Sequence, residues 1–335
     1  MMKRCCLLLA FLCLLAGSCN VAKRQKEGIY AHSLQKECVY SFDGDRTVSR
    51  LFVMGGNILA VTQQEPFFSY ISIGEKKLIT SFGRKGRAGE EMLDVPVCVN
   101  LREGGLQFFD FASKSLVFIS IPEGVVEKAS VPYKVGFRPL RMVEVDGKRI
   151  ATGAFDKGSV VYFDSNQNIV TGEDFPFDTG TLNGIMRGAY IQSDIAVAPD
   201  SSWVLIRTMA SDCFEIYKVS DNGIQRTFVN DYNNPPVIDG GRVRPGRSQA
   251  GYIRSFVDNE FVYLMFAKGN YLDVSNEGLL SDIIHIYDWK GNLDRILHLP
   301  QKVGAFCVIG STLFGTVEFP DHSEIVEYEL LCKPL

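Results

Sequence analysis

IHIYDWKGNLDRILHL, at Ile284–Leu299, is two short apolar runs joined by Asp-Trp-Lys-Gly-Asn. Gly and Asn tolerate left-handed backbone angles, so the joint reads as a tight turn between two antiparallel strands. Four other stretches repeat the phrase: FFSYISIGEKKLITSF at Phe67–Phe82, LVFISIPEGVVEKASV at Leu116–Val131, VVYFDSNQNIVTG at Val160–Gly172 and FEIYKVSDNGIQRTFV at Phe214–Val229. Their quasi-regular spacing marks an internal repeat.

Working outward from each phrase, further runs rich in Val, Ile, Phe and Tyr are separated by Gly, Asp, Asn and Pro, as in Val48–Met54, Leu106–Asp110, Trp203–Thr208 and Phe261–Phe266. No long stretch keeps a helical apolar spacing, so the body is all-β. The strands group into six units, at 48–82, 95–133, 137–172, 190–230, 250–299 and 303–330. Units of about forty to fifty residues, each a meander of up to four antiparallel strands, are the spacing of propeller blades. The expected fold is therefore a six-bladed β-propeller. Its last unit has only three convincing strands, and Cys38–Phe42 has no unit of its own. That N-terminal strand is expected to join the last blade beside Glu324–Leu330 and close the ring, hiding edges that would otherwise invite aggregation.

The chain opens MMKRCCLLLAFLCLLAGSCN. Lys3 and Arg4 precede an apolar stretch, Cys5–Leu15, and Ala16, Gly17 and Ser18 are small enough for a peptidase cleft ahead of Cys19. The apolar stretch falls well short of the ~20 residues that a membrane-spanning helix needs. The reading is a lipoprotein signal over 1–18, lipidation at Cys19, a tether over 19–36 and the propeller over 37–335; an ordinary cleaved signal is the alternative. The partner implied first is thus a membrane, reached through the lipid anchor. A net charge of -4 in 335 residues gives no basic footprint for nucleic acid.

Of nine cysteines, Cys5, Cys6 and Cys13 leave with the signal, and the five beyond Cys19 include no CxxC pair. Cys98, Cys213 and Cys307 sit in apolar runs and read as small buried hydrophobes. Ring closure brings Cys332 toward Cys38; a disulfide latch and two unpaired thiols both remain open. Such a latch is worth about 5 kcal/mol at most in the chain-entropy view.

SFGRKGRAGEEMLDVP, at Ser81–Pro96, resembles the phrase FG-x-x-G-x-G-P-G-E-F-x-x-P found between strands of NHL-type propellers and of the six-bladed TolB-like propeller lipoproteins of Bacteroidetes. Phe82, Gly83, Gly86, Gly89, Glu90 and Pro96 match, while Ala88 and Met92 replace the usual Pro and Phe. The segment from Ile283 through Leu330 is similar to the last blades of that group, and Gly188–Val219 to a middle blade. The resemblance implies the fold and says little about activity. In these lipoproteins an acidic run beside the lipidated Cys marks surface export; Asn20, Val21, Ala22, Lys23 and Arg24 carry none, which points to an outer-membrane lipoprotein facing the periplasm.

Charge and position single out the candidate sites. Arg84, Lys85 and Arg87 crowd one glycine loop, which lacks the Lys-Ser/Thr ending of a phosphate-binding loop. Arg242, Arg244 and Arg247 crowd a second, and together the two loops could grip an anionic carbohydrate through guanidinium forks. Arg187, Tyr190, Tyr252 and Arg254 fall near the starts of inner strands, where side chains line the channel. Hydrolytic signatures are missing: His32, His285, His298 and His322 form no HxH or HExxH, and no Gly-x-Ser-x-Gly occurs. A channel-bound calcium would need converging acids, for which Asp110, Asp194 and Asp258 are candidates. No cofactor is expected.

The functional expectation is a non-catalytic ligand-binding or protein-interaction module at the cell envelope, with an anionic carbohydrate or an envelope protein as partner. The rival is a propeller hydrolase or lyase acting on a sugar-derived substrate at the channel mouth. A third reading, partner docking like the propeller of the Tol system, predicts a broad exposed apolar patch.

Overall fold

In the computed structural model the described residues are 29–330, apart from 31, 45, 89–90, 98, 132–135, 157, 165, 167, 181, 183–186 and 221. Cys19, Cys98 and Cys332 thus lie outside the described residues, with the signal segment, most of the tether and the side chain of Tyr190. Six four-stranded antiparallel sheets form the ring. Blade 1 runs Val48–Met54, Asn57–Thr62, Phe68–Ser72 and Lys77–Phe82; blade 2 runs Asn100–Arg102, Gly105–Asp110, Ser115–Ser120 and Val126–Ser130. Blade 3 runs Phe137–Val145, Lys148–Phe155, Val160–Phe163 and Ile169–Glu173; blade 4 runs Ser193–Val197, Trp203–Thr208, Phe214–Ser220 and Gly223–Val229. Blade 5 runs Gln249–Val257, Phe261–Asn270, Ser281–Asp288 and Leu293–Val303. Blade 6 takes Phe306–Ile309, Thr312–Glu318 and His322–Glu329 from the C-terminal end, and His32–Asp43 from the N-terminal end.

The closing strand pairs as expected, with Cys38 opposite Val326, Ser41 opposite Glu324 and Phe42 opposite Ser323. Pairing reaches further upstream than the repeat pattern suggests: Ile29–Tyr30 adds a parallel pair to the outer strand of blade 5, opposite Leu297 and His298. The N-terminal segment therefore crosses from blade 5 to blade 6.

Side chains alternate between two neighbouring blades, and both faces are buried. In blade 1, Ile58 and Ala60 pack toward blade 6, while Leu59 and Val61 pack toward blade 2. In blade 4, Val204 and Ile206 pack toward blade 3, and Leu205 toward blade 5. This is why second strands read as unbroken apolar runs such as NILAV and WVLI, where a sheet wet on one face would alternate. Cys307 is fully buried between blades 6 and 1, and Cys213 lies in a small cluster with Phe177, Leu182 and Ile191; burial pushes both thiols up, as befits inert small hydrophobes.

The turn of the opening phrase has a specific device. Asp288 accepts from the backbone N–H groups of Lys290 and Asn292 and from the Asn292 amide, at 2.8–2.9 Å. Asp164 and Asn168 repeat it in blade 3. Gly291 holds φ +85°, and a Cβ there would come within 2.3 Å of the Phe228 ring of blade 4, so only glycine fits both the turn and the neighbouring blade.

Phe42 is 2% exposed, in the cluster between blades 6 and 1. Phe42→Ala is expected to cost about 3–5 kcal/mol in urea denaturation, and Ser41→Ala, on the exposed position beside it, less than about 0.5 kcal/mol.

Candidate functional site

The inner strands do not alternate regularly, and the irregularities aim side chains at the channel. The ladder shifts between Val48 and Arg50 in blade 1 and between Tyr252 and Arg254 in blade 5. A bulge adds a residue and re-aims the side chains after it. Thus Tyr252 points into the core between blades 4 and 5, Ile253 into the core between blades 5 and 6, and Arg254 lines the central cavity. Strict period-2 reading would have placed Tyr252 and Arg254 on one face.

The cavity has a volume of about 210 Å³ and takes its walls from blades 1, 2, 4, 5 and 6. Arg50, Asp194 and Arg254 form a charged cluster on its wall, and Asp258, just past the end of the inner strand of blade 5, is a fourth charged residue of the lining. Asp194 Oδ2 accepts from Arg50 Nη2 and, at 3.2 Å, from Arg207 Nη2. Arg207 is 5% exposed, and its Nη1 also donates to the Tyr252 carbonyl at 2.7 Å. Three guanidinium groups thus gather round one carboxylate. Two of them are held by it, while Arg254 has no hydrogen-bond acceptor or ion-pair partner among the described residues, and its buried Nε is unmatched. Burial, with Arg207 and Arg50 nearby, lowers the Arg254 pKa to about 10, which leaves it charged at neutral pH. Asp194 opposes that shift through space; at Glu318 burial raises the carboxyl, and Arg254 pulls it back.

The other expected site residues lie elsewhere. Arg84, Lys85 and Arg87 are exposed on the loop between blades 1 and 2. That loop spends its backbone donors on itself: Gly86 N–H donates to Met92, Met92 N–H to Arg84, and Ala88 N–H to Glu91. Lys85 N–H donates to Glu65. It is a blade connection and not a phosphate cradle. Arg244 and Arg247 both face Asp239, at 3.7 and 3.0 Å, while Arg242 is exposed on the hairpin Ile238–Asp239 and Arg242–Val243. Arg187 pairs with Asp174 at 2.9 Å, outside the channel. These connections all lead from an outer strand to the next inner strand, so they share one face of the ring. The cavity instead extends toward Val53, Val197, Val257 and Val308, where inner strands end. The basic loops and the channel cations are therefore separate.

Of the calcium candidates, Asp194 and Asp258 line the cavity and Asp110 does not, and each is engaged in hydrogen bonds of its own. Asp110 accepts from the N–H groups of Leu93, Ala112 and Ser113, and Asp258 from Glu260, Phe261 and the Tyr263 hydroxyl, while Asp194 is held by arginines. No group of three or more metal-ligating side chains occurs among the described residues. His285 sits in the third strand of blade 5, stacked on Phe266 and 3.0 Å from the Tyr252 hydroxyl, which also meets that of Tyr287 at 2.7 Å. His322 pairs with Asp321 at 2.7 Å in the exposed hairpin of blade 6. Arg50 and Arg207 escaped the sequence reading. Their signal was available, for each is a lone cation in a strand that is otherwise apolar but for Ser49 or Thr208.

A family described as TolB-like 6-blade propeller-like matches residues 56–310. The chain belongs to this TolB-like family. Among solved structures, a protein of Bacteroides fragilis described as exported is 11% identical with a TM-score of 0.57, over 90% of this chain and 98% of its own. A DUF4221 family member from Bacteroides vulgatus is 7% identical with a TM-score of 0.48, over 91% of this chain and 99% of its own. The comparison with curated proteins finds no match. At these identities the likeness is one of fold, and the site must be argued from its residues.

Two outcomes are expected of this TolB-like propeller. Asp194→Asn leaves Arg207 buried without a counter-charge and should cost about 3–5 kcal/mol, whereas Arg254→Met removes an unpartnered cation and should leave the melting temperature unchanged or raised. Burial, helped by His298, lowers the His285 pKa to about 4, below its ordinary 6.5. The unfolded chain then binds the proton more tightly, so stability present above pH 6.5 is lost as pH falls toward 4. Between pH 7 and 4.5, wild type should lose about 2 kcal/mol more than His285→Gln in paired urea denaturations.

Proposed function

We propose that this TolB-like propeller is an exported, lipid-anchored protein of the cell envelope that binds an anionic ligand in its central cavity without transforming it. The observation that carries the reading is Arg254: a cation lining the channel, beside two more, with no acceptor among the described residues. An unmatched charge taken out of water is costly, and a bound anion restores what is lost. The signal-like start, Cys19 and the description of the Bacteroides fragilis protein as exported support the location. The periplasm-facing side of the outer membrane is the leaflet that the neutral and basic residues after Cys19 favour.

Binding is favoured over hydrolysis because the half-buried His285 contacts the Tyr252 hydroxyl and a phenyl ring, and Asp194 is occupied by two arginines. Partner docking through a broad apolar face has less behind it. Apart from Leu78 and Ile79, neighbours in the outer strand of blade 1, the exposed large apolar residues Val97, Val125, Val170, Leu272 and Phe319 belong to different blades or connections.

The test is a thermal-shift panel on the mature chain with organic and inorganic anions, run beside turnover assays with sugar lactones and oligosaccharides. At least one anion class should raise the melting temperature in wild type, and the rise should shrink in Arg254→Met. An anion present at 100 times its Kd stabilises by about 2.7 kcal/mol, well within detection. Turnover of a lactone or oligosaccharide at ordinary enzyme rates overturns the non-catalytic reading.

A further inference from the structure

The walls of the cavity narrow the ligand further, on the footing of the anion-binding reading above. Arg50, Asp194 and Arg254 supply the charged part; beyond it, along the same inner strands, come Phe52, Val53, Val197, Phe256 and Val257. Blade 6 adds Phe306 and Val308. One part of the cavity carries the two arginines, and the rest is hydrocarbon apart from Asp258, whose carboxylate accepts from the Glu260 and Phe261 N–H groups and the Tyr263 hydroxyl.

Three uncharged polar side chains also interrupt this lining, and two are committed. Ser49 donates to the Val61 carbonyl at 3.1 Å, and Asn100 Oδ1 accepts from Val197 N–H at 3.2 Å. Ser255 is the exception: its Oγ is buried and unmatched, one residue from Arg254. Among the residues that line the cavity, the unmet hydrogen-bonding capacity is therefore at 254 and 255, with Arg207 Nε behind the wall likewise unmatched, and it suits one planar anion with two oxygens, the shape that a guanidinium fork grips bidentately. A sugar acid would bring several hydroxyls against the apolar wall, each costing about 1–3 kcal/mol where no partner meets it. The volume sets the remaining limit. A dry apolar cavity of about 150 Å³ accommodates benzene, and about 210 Å³ leaves room for a ring or short chain bearing a carboxylate.

We infer that the central cavity binds a small organic monocarboxylate with an apolar body, an aromatic or medium-chain aliphatic acid, its carboxylate on Arg254 and its body against Phe52, Phe256 and Phe306. Asp194 has a defined part in this. By holding Arg50 and Arg207 it leaves one guanidinium uncommitted, which selects a monoanion over a dianion.

Isothermal titration of the mature chain with phenylacetate, hexanoate, phenylacetamide and glucuronate tests the assignment, in wild type, Arg254→Met and Arg254→Lys. Phenylacetate or hexanoate should bind at least about tenfold tighter than phenylacetamide and glucuronate, the discrimination expected from one charge-assisted contact and one apolar wall. Arg254→Met should lose at least about tenfold toward the acids while keeping the melting temperature of the free protein, and Arg254→Lys, which keeps the charge and loses the fork, should fall between. Glucuronate binding as tightly as hexanoate, with the same dependence on Arg254, overturns the apolar body and leaves the anion site standing. Acids that bind equally well to Arg254→Met overturn the site, and failure of every anion to bind overturns both this assignment and the reading beneath it.

Discussion

Every blade of this propeller has to bury both of its faces, and the rest of the structure depends on that requirement. A four-stranded sheet with apolar residues on both sides has no stable life of its own, since one face or the other stays wet until a neighbour covers it. Six apolar clusters, one between each adjacent pair of blades, meet the requirement all the way round. The demand is circular, so the last pair matters as much as the first. Blade 6 takes its outer strand, His32–Asp43, from the N-terminal end of the chain, and Val39 and Phe42 of that strand complete the cluster facing blade 1. Closure here is a pairing of strands some three hundred positions apart in sequence, Ser41 with Glu324 among them. The entropy of bringing such distant segments together grows only slowly with loop length, while the buried area gained is that of a whole strand.

The same demand decides what becomes of a charged residue on an inner or second strand. With both faces given to hydrocarbon, such a side chain must find an opposite charge or the channel. Arg207, on a second strand, finds Asp194 on the adjoining inner strand of its own blade, and Arg50 reaches the same carboxylate from blade 1. The pairing spans the ring, so Asp194 both neutralises buried charge and ties two blades across the channel. Arg254 is left over. Its strand is bulged beside it, which takes the side chain out of the alternation that places Tyr252 and Ile253 in cores. A bulge next to an unmatched guanidinium, with a second bulge beside Arg50, is an arrangement that packing alone does not call for.

Much of the architecture was legible because the repeat is local. The turn chemistry of Asp288 to Asn292, echoed by Asp164 to Asn168, places hairpins in register with the blades, and the three-stranded last unit announces the need for a strand from elsewhere. Burial of Cys213 and Cys307 was legible too, from the apolar runs that contain them. The site was harder for a physical reason. Basic loops such as 84–87 and 242–247 attract attention by density, yet their cations are solvated or matched by near neighbours such as Asp239. The channel cations come one per strand, from residues 50, 207 and 254, and are gathered only by the ring. Arg254 was found by position alone, and the ladder shift that separates it from Tyr252 leaves no mark in composition. What the chain does offer is an imbalance: among SRLFV, SDIAV, VLIRT and YIRSF there are three cations and one anion.

That imbalance bears on why the unmatched guanidinium is tolerated at all. A second acid beside Arg254 would pair with it as Asp194 pairs with Arg207. The wall carries two aspartates, but Asp194 is held by Arg50 and Arg207, and Asp258 accepts from its own turn and from Tyr263, so Arg254 keeps no acceptor among the described residues and sits in a low-dielectric setting, where attraction between opposite charges is several times what it would be in water. Such a site is preorganised, because Arg50 and Arg207 are already held by Asp194 and the apolar walls are set by packing between blades. A ligand then has little side-chain ordering to bring about, and most of its interaction with Arg254 appears as affinity. On the proposed reading, a bound anion would supply the acceptor that Arg254 lacks, and this is what would link the unmet charge of Arg254 to the function of the fold.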